Sequence, residues 1–222
     1  MAAFRSPPRI ALLLSLVLLL AGVWIAYVEA KSYFSGGDLP LERFEALAKG
    51  TQTIGMSTTS KRLVLDNCLD GVVAVHARTQ PPEKRDRVAE ECRSVVDEIV
   101  ARTPAYSYAW YVGAVAASRL GDTKGVVDRL RQSQVTGPTE QWIAELRVGL
   151  AETYLADLPV DVRTQHDRDL ALLVASDRGV RAIAARYVRD PDFRDRITTI
   201  VEQMPQRSQQ RFLSNVQRAA GA

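Results

Sequence analysis

Apolar residues follow two patterns along this chain. The first is continuous. "IALLLSLVLLLAGVWIAYV", Ile10 to Val28, carries no charge. As a helix it would span roughly 28 Å, close to the hydrocarbon thickness of a bilayer. The second pattern is periodic. From Lys61 onward, apolar positions return at three- and four-residue spacing, and strand-like alternation is almost absent. This spacing predicts helices near 61–77, 83–102, 105–120, 123–134, 139–157, 161–175, 177–189, 192–203 and 206–218. Between the two regions, "SGGDLP" (Ser35 to Pro40) reads as a turn cluster. "LERFEALAK" (Leu41 to Lys49) reads as two helical turns with Leu41, Phe44, Leu47 and Ala48 on one face. "GTQTIGMSTTS" (Gly50 to Ser60) has no helical period and reads as a loop.

Punctuation supports these boundaries. Thr103-Pro104, Gly137-Pro138 and Asp190-Pro191 each place a residue that can cap before a proline whose missing N–H costs nothing in a first helical turn. Asp122, Asp161 and Ser176 are further candidate caps. The predicted loops are short, so neighbouring helices should form antiparallel hairpins in an all-α fold.

The hairpins carry a period. The step from Pro104 to Pro138 also lays Tyr108 on Trp142, Cys92 on Val126 and Val96 on Leu130. In the unit from Ser107 to Glu140, "AWYVGAVAASRLGD" puts Trp110 early in a first helix. Leu120-Gly121-Asp122 then breaks that helix from a second, and Pro138 closes the unit. This resembles a tetratricopeptide repeat (TPR), with Ala114 where the family has Gly, and the step equals that family's repeat length. Other positions depart from the family pattern: Gly113-Ala114 stands for its Leu-Gly pair, Ala117 for its Tyr and Val126 for its second-helix Ala. The resemblance covers 61–175 and implies an α-solenoid whose first helices line a concave, peptide-binding face. A plain helical bundle with Trp110 and Trp142 as core residues is the other reading. On the repeat reading, Tyr108, Trp110, Tyr111 and Trp142 are the candidate partner-binding residues.

The flanks of the apolar run set an orientation. Arg5 and Arg9 precede it, and Glu29 and Lys31 follow. Basic residues favour the cytoplasmic side, which sends the rest of the chain across the membrane. The domains expected are a cytoplasmic 1–9, a transmembrane anchor 10–28, a linker with a short helix 29–60, TPR-like repeats 61–175 and capping helices 176–222. A cleaved signal peptide ending at "VEA" (Val28 to Ala30) is the rival, although the run exceeds a usual signal core. Both readings export the chain. With arginine-rich usage and no Lys after Lys124, which fits a GC-rich bacterial genome, the expected location is a bacterial inner membrane with a periplasmic domain.

Cys68 and Cys92 are the only cysteines. In a hairpin of helices 61–77 and 83–102 the turn centres near residue 80, so the two face each other at equal distance from it. In an oxidising compartment that placement predicts a disulfide, with two buried reduced thiols as the other reading.

Composition narrows the function. Net charge is +3, too small to argue for nucleic acid. No nucleophile elbow, phosphate loop or dinucleotide fingerprint occurs. His76 reads as a helix C-terminal residue, and His166 with Asp169 is too small a set for a metal site. Glu90, Glu91, Asp97 and Glu98 read as a solvated helix face. No catalytic residue, cofactor or metal is expected. The chain reads as a scaffold for a protein partner near the inner membrane. Membrane-tethered TPR proteins of this layout resemble those of envelope polysaccharide synthesis or secretion machinery. The alternative is a direct binder of anionic polysaccharide or lipid through Arg178, Arg181, Arg186, Arg189, Arg194 and Arg196.

Overall fold

In a computed structural model, which describes residues 8–34 and 37–221, the long apolar run and the periodic segments are all helical, and no strand occurs among those residues. Arg5 and the Ser35-Gly36 part of the predicted turn lie outside the described residues. The chain divides into two units, residues 1–95 and 96–222, and the division falls inside a helix. It coincides with neither of the boundaries expected at 60 and 175.

The first unit holds α1 (Pro8–Phe34), α2 (Pro40–Ala48), α3 (Thr58–Val73), the single turn α4 (Val75–Arg78) and the first part of α5 (Pro82–Arg102). Within α1, Ile10–Phe34 is long and apolar enough to cross a membrane, and its most apolar stretch is exposed throughout. It runs past the expected end at Val28. Residues 29–60 contain the expected short helix as α2 (Pro40–Ala48). Residues 29–34 continue α1, and α2 buries Phe44 and Leu47 completely. Those two side chains join Val64, Leu65, Val88 and Ala89 in the core of the unit. The predicted helix 61–77 is broken at Ala74, whose backbone is extended, giving α3 and α4. Cys68 on α3 and Cys92 on α5 stand at disulfide-bonding distance, their Cα atoms 5.5 Å apart.

The second unit holds the rest of α5 and α6 (Ser107–Arg119), α7 (Thr123–Thr136), α8 (Gln141–Thr153), α9 (Val160–Ala175), α10 (Gly179–Arg189), α11 (Pro191–Glu202) and α12 (Gln206–Ala220). The predicted helix 139–157 ends at Thr153, and a 3-10 turn, Leu155–Asp157, replaces its last residues. Helix α6 is built of small residues and is buried along almost its whole length. It ends at Leu120 because Gly121 takes the left-handed conformation, φ 71°, that side chains resist. Asp122 then caps α7, its carboxylate accepting the Gly125 N–H at 2.8 Å.

Of the other predicted caps, Asp190 accepts the Phe193 N–H at 3.2 Å and opens α11. Ser176 accepts the Gly179 N–H at 2.8 Å at the start of α10. Asp161 is not a cap. It lies inside α9 and holds Arg131 at 2.6 Å. Thr103-Pro104 and Gly137-Pro138 do not start helices. Both pairs sit in turns, and the helices begin after Tyr106 and Glu140.

The period survives as an offset of elements. Helices α6 and α8 have equal length, and the step from Ser107 to Gln141 at their starts is the step from Pro104 to Pro138. The helices before them end at Arg102 and Thr136, separated by the same step. One apolar cluster joins Ala114, Ala117, Val126 and Leu130 to Ala151, Leu158 and Val162. A second joins α8 and α9 to the last three helices through Val148, Leu170, Leu173, Ile183, Phe193, Ile197 and Phe212. Helix α10 packs more extensively on α12 than on its sequence neighbour α11, with Tyr187 edge-on to Phe212 at 5.4 Å.

Candidate functional site

The four aromatic residues proposed from the repeat pattern do not form one open face. Tyr108 and Tyr111 are buried, and their rings stack at 6.5 Å. Burial pushes the Tyr111 phenol up to about 12. These two are core residues, a correction to their expected role as contact surface. The physical reason is that α6 is enclosed on nearly every side, so Tyr108 and Tyr111 have no solvent face. Trp110 is half-buried and fixes the turn ahead of its own helix, its indole N–H donating to the Pro104 carbonyl at 2.8 Å. Trp142 alone is well exposed, at 43%. Its ring leans on Tyr108, centroid to centroid 4.9 Å, so a buried ring props an exposed one.

Trp142 lines a cleft of about 450 Å³. Thr139, Gln141 and Glu145 come from the start of α8 and the turn before it. Leu173, Ser176, Arg178 and Gly179 come from the junction of α9 and α10. Ser176 holds that junction, donating to the Leu173 carbonyl while accepting from Gly179. The cleft offers a large aromatic ring, one acid and one base on rigid supports. Such a surface suits a peptide or protein segment with an apolar residue at its centre.

Two buried polar groupings escape the sequence reading. Arg147, on α8, is fully buried. Its guanidinium binds Asp169 of α9 through two bonds of 2.8 and 2.6 Å, and donates to the Ser133 and Gly137 carbonyls at 3.0 and 3.1 Å. It therefore closes the C-terminal end of α7 with positive charge while pairing its own. The signal is present in "QWIAELRVGLAET". Arg147 stands at helical spacing from the apolar Ile143, Ala144 and Ala151, where an arginine must find partners.

The second grouping centres on Glu152, whose side chain is 4% exposed. Its carboxylate meets His166 Nε2 at 2.6 Å, Arg186 at 3.5 Å and Arg196. These partners sit on α9, α10 and α11, so one carboxylate from α8 ties four helices. Both guanidiniums also lie over the Phe193 ring, at 4.8 and 5.7 Å. The adjoining cleft of about 490 Å³ also contains Arg163, Asp190 and Asp192, so its six charges balance. His166 and Asp169, one helical turn apart on α9, serve different partners. His166 turns to Glu152, and Asp169 turns to Arg147. Among the described residues no group of three His, Cys, Asp or Glu is placed to hold a metal.

These bonds also redraw the arginine-rich region. Arg186 and Arg196 are taken up by Glu152. Arg194 donates to the Tyr187 and Val188 carbonyls and covers the Tyr187 ring. Arg178, Arg181 and Arg189 remain exposed. Glu90, Asp97 and Glu98 stand exposed, as expected of a solvated face, Asp97 also binding Arg129 at 2.7 Å, while Glu91 is half-buried.

No protein-family model, curated protein or solved structure matches this chain.

Proposed function

We propose that this chain is a membrane-anchored, periplasm-facing scaffold, and that its second unit binds a segment of another protein in the cleft beside Trp142. The observation that carries the proposal is the exposed Trp142 ring, held over a cleft by the buried Tyr108. Large aromatics at the centre of a contact contribute most to binding when they are held rigid before the partner arrives. The offset shared by α6 and α8 supports the TPR-like reading of these helices. The apolar α1 supports anchoring in an inner membrane. A place in envelope polysaccharide synthesis or export extends the proposal, on the resemblance of the layout alone.

The test is a photo-crosslinking residue at Trp142 in the full-length protein in cells, with Val135 as an exposed control outside the cleft. The expected result is one inner-membrane or periplasmic protein recovered from position 142 and not from 135. Recovery of lipid or polysaccharide alone, or identical products from both positions, overturns the proposal.

A further inference from the structure

The end of α1 is clasped by a later segment of its own unit. The Glu29 carboxylate accepts the Met56 N–H at 2.9 Å, the Ser57 N–H at 3.2 Å and the Ser57 hydroxyl. The acceptors are closely fitted, since a side chain on Gly55 would place its Cβ 2.7 Å from Glu29 Oε2. Ser57 also caps α3, accepting the Ser60 N–H at 3.0 Å. Close to one helical turn on from Glu29, Ser32 is buried. The Met56 loop therefore stands at the depth of Glu29.

That depth is fixed by α1. The uncharged run from Ile10 to Val28 covers the hydrocarbon thickness of a bilayer. Trp24 and Tyr27, exposed and 6.4 Å apart, mark the interfacial end of it. Glu29 is thus the first charge beyond the hydrocarbon, and its oxygens are satisfied by the protein instead of water. Close to the same level, large side chains stand exposed: Met56 at 61%, and Tyr33 and Phe34 further along α1, Phe34 at 83%. Exposed apolar groups gathered around a membrane helix match the interface of a bilayer, which takes up apolar side chains beside polar ones.

We propose that the first unit seats on the phospholipid surface where α1 leaves it, with the Met56 loop in the headgroup layer. The proposal rests on the reading of α1 as an uncleaved membrane helix. Cleavage after Ala30 would carry away Glu29 and open the clasp.

The experiment uses full-length protein in phosphatidylcholine–phosphatidylglycerol vesicles carrying a nitroxide near the headgroup end of the acyl chain, to read position 56, and in matched vesicles carrying it near the methyl end, to read position 18 at the middle of the span. An environment-sensitive fluorophore is attached at Leu18→Cys, Met56→Cys or Val75→Cys, without reductant so that Cys68 and Cys92 stay joined. Val75 is exposed and lies beyond α3, about 24 Å of helix from the clasp. The expected result is a blue shift and loss of fluorescence at positions 18 and 56, with neither at 75. Quenching at 18 but not at 56, or equally at 56 and 75, overturns the seat while leaving the span intact. No quenching at 18 overturns the span, and the seat with it. Glu29→Ala should lose the signal at 56 and Glu29→Gln keep it, since the amide oxygen still accepts from Met56 and Ser57. Retention in Glu29→Ala refutes the clasp as its cause.

Discussion

Replacing Arg147 by Met should destabilise the second unit, and replacing Asp169 at the same time should restore most of the loss. Both side chains are buried, and the pair is joined by two short bonds. Removing the guanidinium strands a carboxylate away from water, which costs about 3–5 kcal/mol. Asp169→Leu alone strands the guanidinium and costs a similar amount, although the Ser133 and Gly137 carbonyls still receive it. In the double variant Arg147→Met, Asp169→Leu no charge is left behind. The remaining loss is the donor to the Gly137 carbonyl, about 1–3 kcal/mol, because the Ser133 carbonyl keeps its bond from the Gly137 N–H. The two single losses therefore sum to far more than the double, and the difference is a coupling of several kcal/mol. The assay is urea unfolding of the full chain in detergent micelles, followed by tryptophan fluorescence. Trp24→Phe removes the signal of α1 and leaves Trp110 and Trp142, both in the second unit. A single variant that loses under about 1 kcal/mol, well below the range for breaking a buried pair, refutes the reasoning. So does a double variant as unstable as the sum of its parts.

Other outcomes follow from the same geometry. Cys68→Ser with Cys92→Ser opens a loop of sequence separation 24 and should cost about 3 kcal/mol, read as a lower midpoint of thermal unfolding. On a gel, reduction of the unaltered protein should change its mobility. Trp142→Ala should abolish partner recovery, with a loss of unfolding midpoint confined to the ring's contact with Tyr108. The Phe193 N–H and, less strongly, Arg186 hold the Asp190 carboxyl below its ordinary 3.8. Its contribution is complete above that value and is lost as pH falls through the lowered one, so Asp190→Ala should flatten the decline of unfolding midpoint in acid. Tyr111 shifts the other way. The folded state keeps its proton between 10 and about 12 while the unfolded chain does not, so stability falls with rising pH across that window. Tyr111→Phe should remove that part of the slope, and a step at about 12 in the ultraviolet titration of tyrosine should vanish with it.

Helix existence is legible in the sequence because periodicity reports burial directly: Val126, Leu130, Ile183 and Ile197 are apolar at helical spacing and all buried. The cysteine placement is legible because a hairpin is symmetric about its turn. Helix ends are less so. Glu29 reads as the end of an apolar helix, yet α1 continues because its charge is met by an N-terminus 27 residues further on. Nothing in "VVAVHAR" marks the break at Ala74, which has neither Gly nor Pro. The aromatic surface misleads for a related reason. Tyr108 and Trp142 share a repeat position, but α6 is enclosed and α8 is not, and a local pattern does not contain that difference. Arg147 takes the repeat position of Gly113, so the shift that reveals the repeat also passes over its most consequential departure.

Glu152 also sets an order of events during synthesis. Its partner Arg196 lies 44 residues further along the chain. A polypeptide emerging N-terminus first therefore presents the carboxylate well before the guanidinium that neutralises it exists outside the ribosome. Until α11 arrives, the place where α8, α9 and α10 would meet holds an under-neutralised charge that draws water inward. The second unit is thus completed late, and a chain that stops before α11 leaves Glu152 with only His166 and Arg186 for partners.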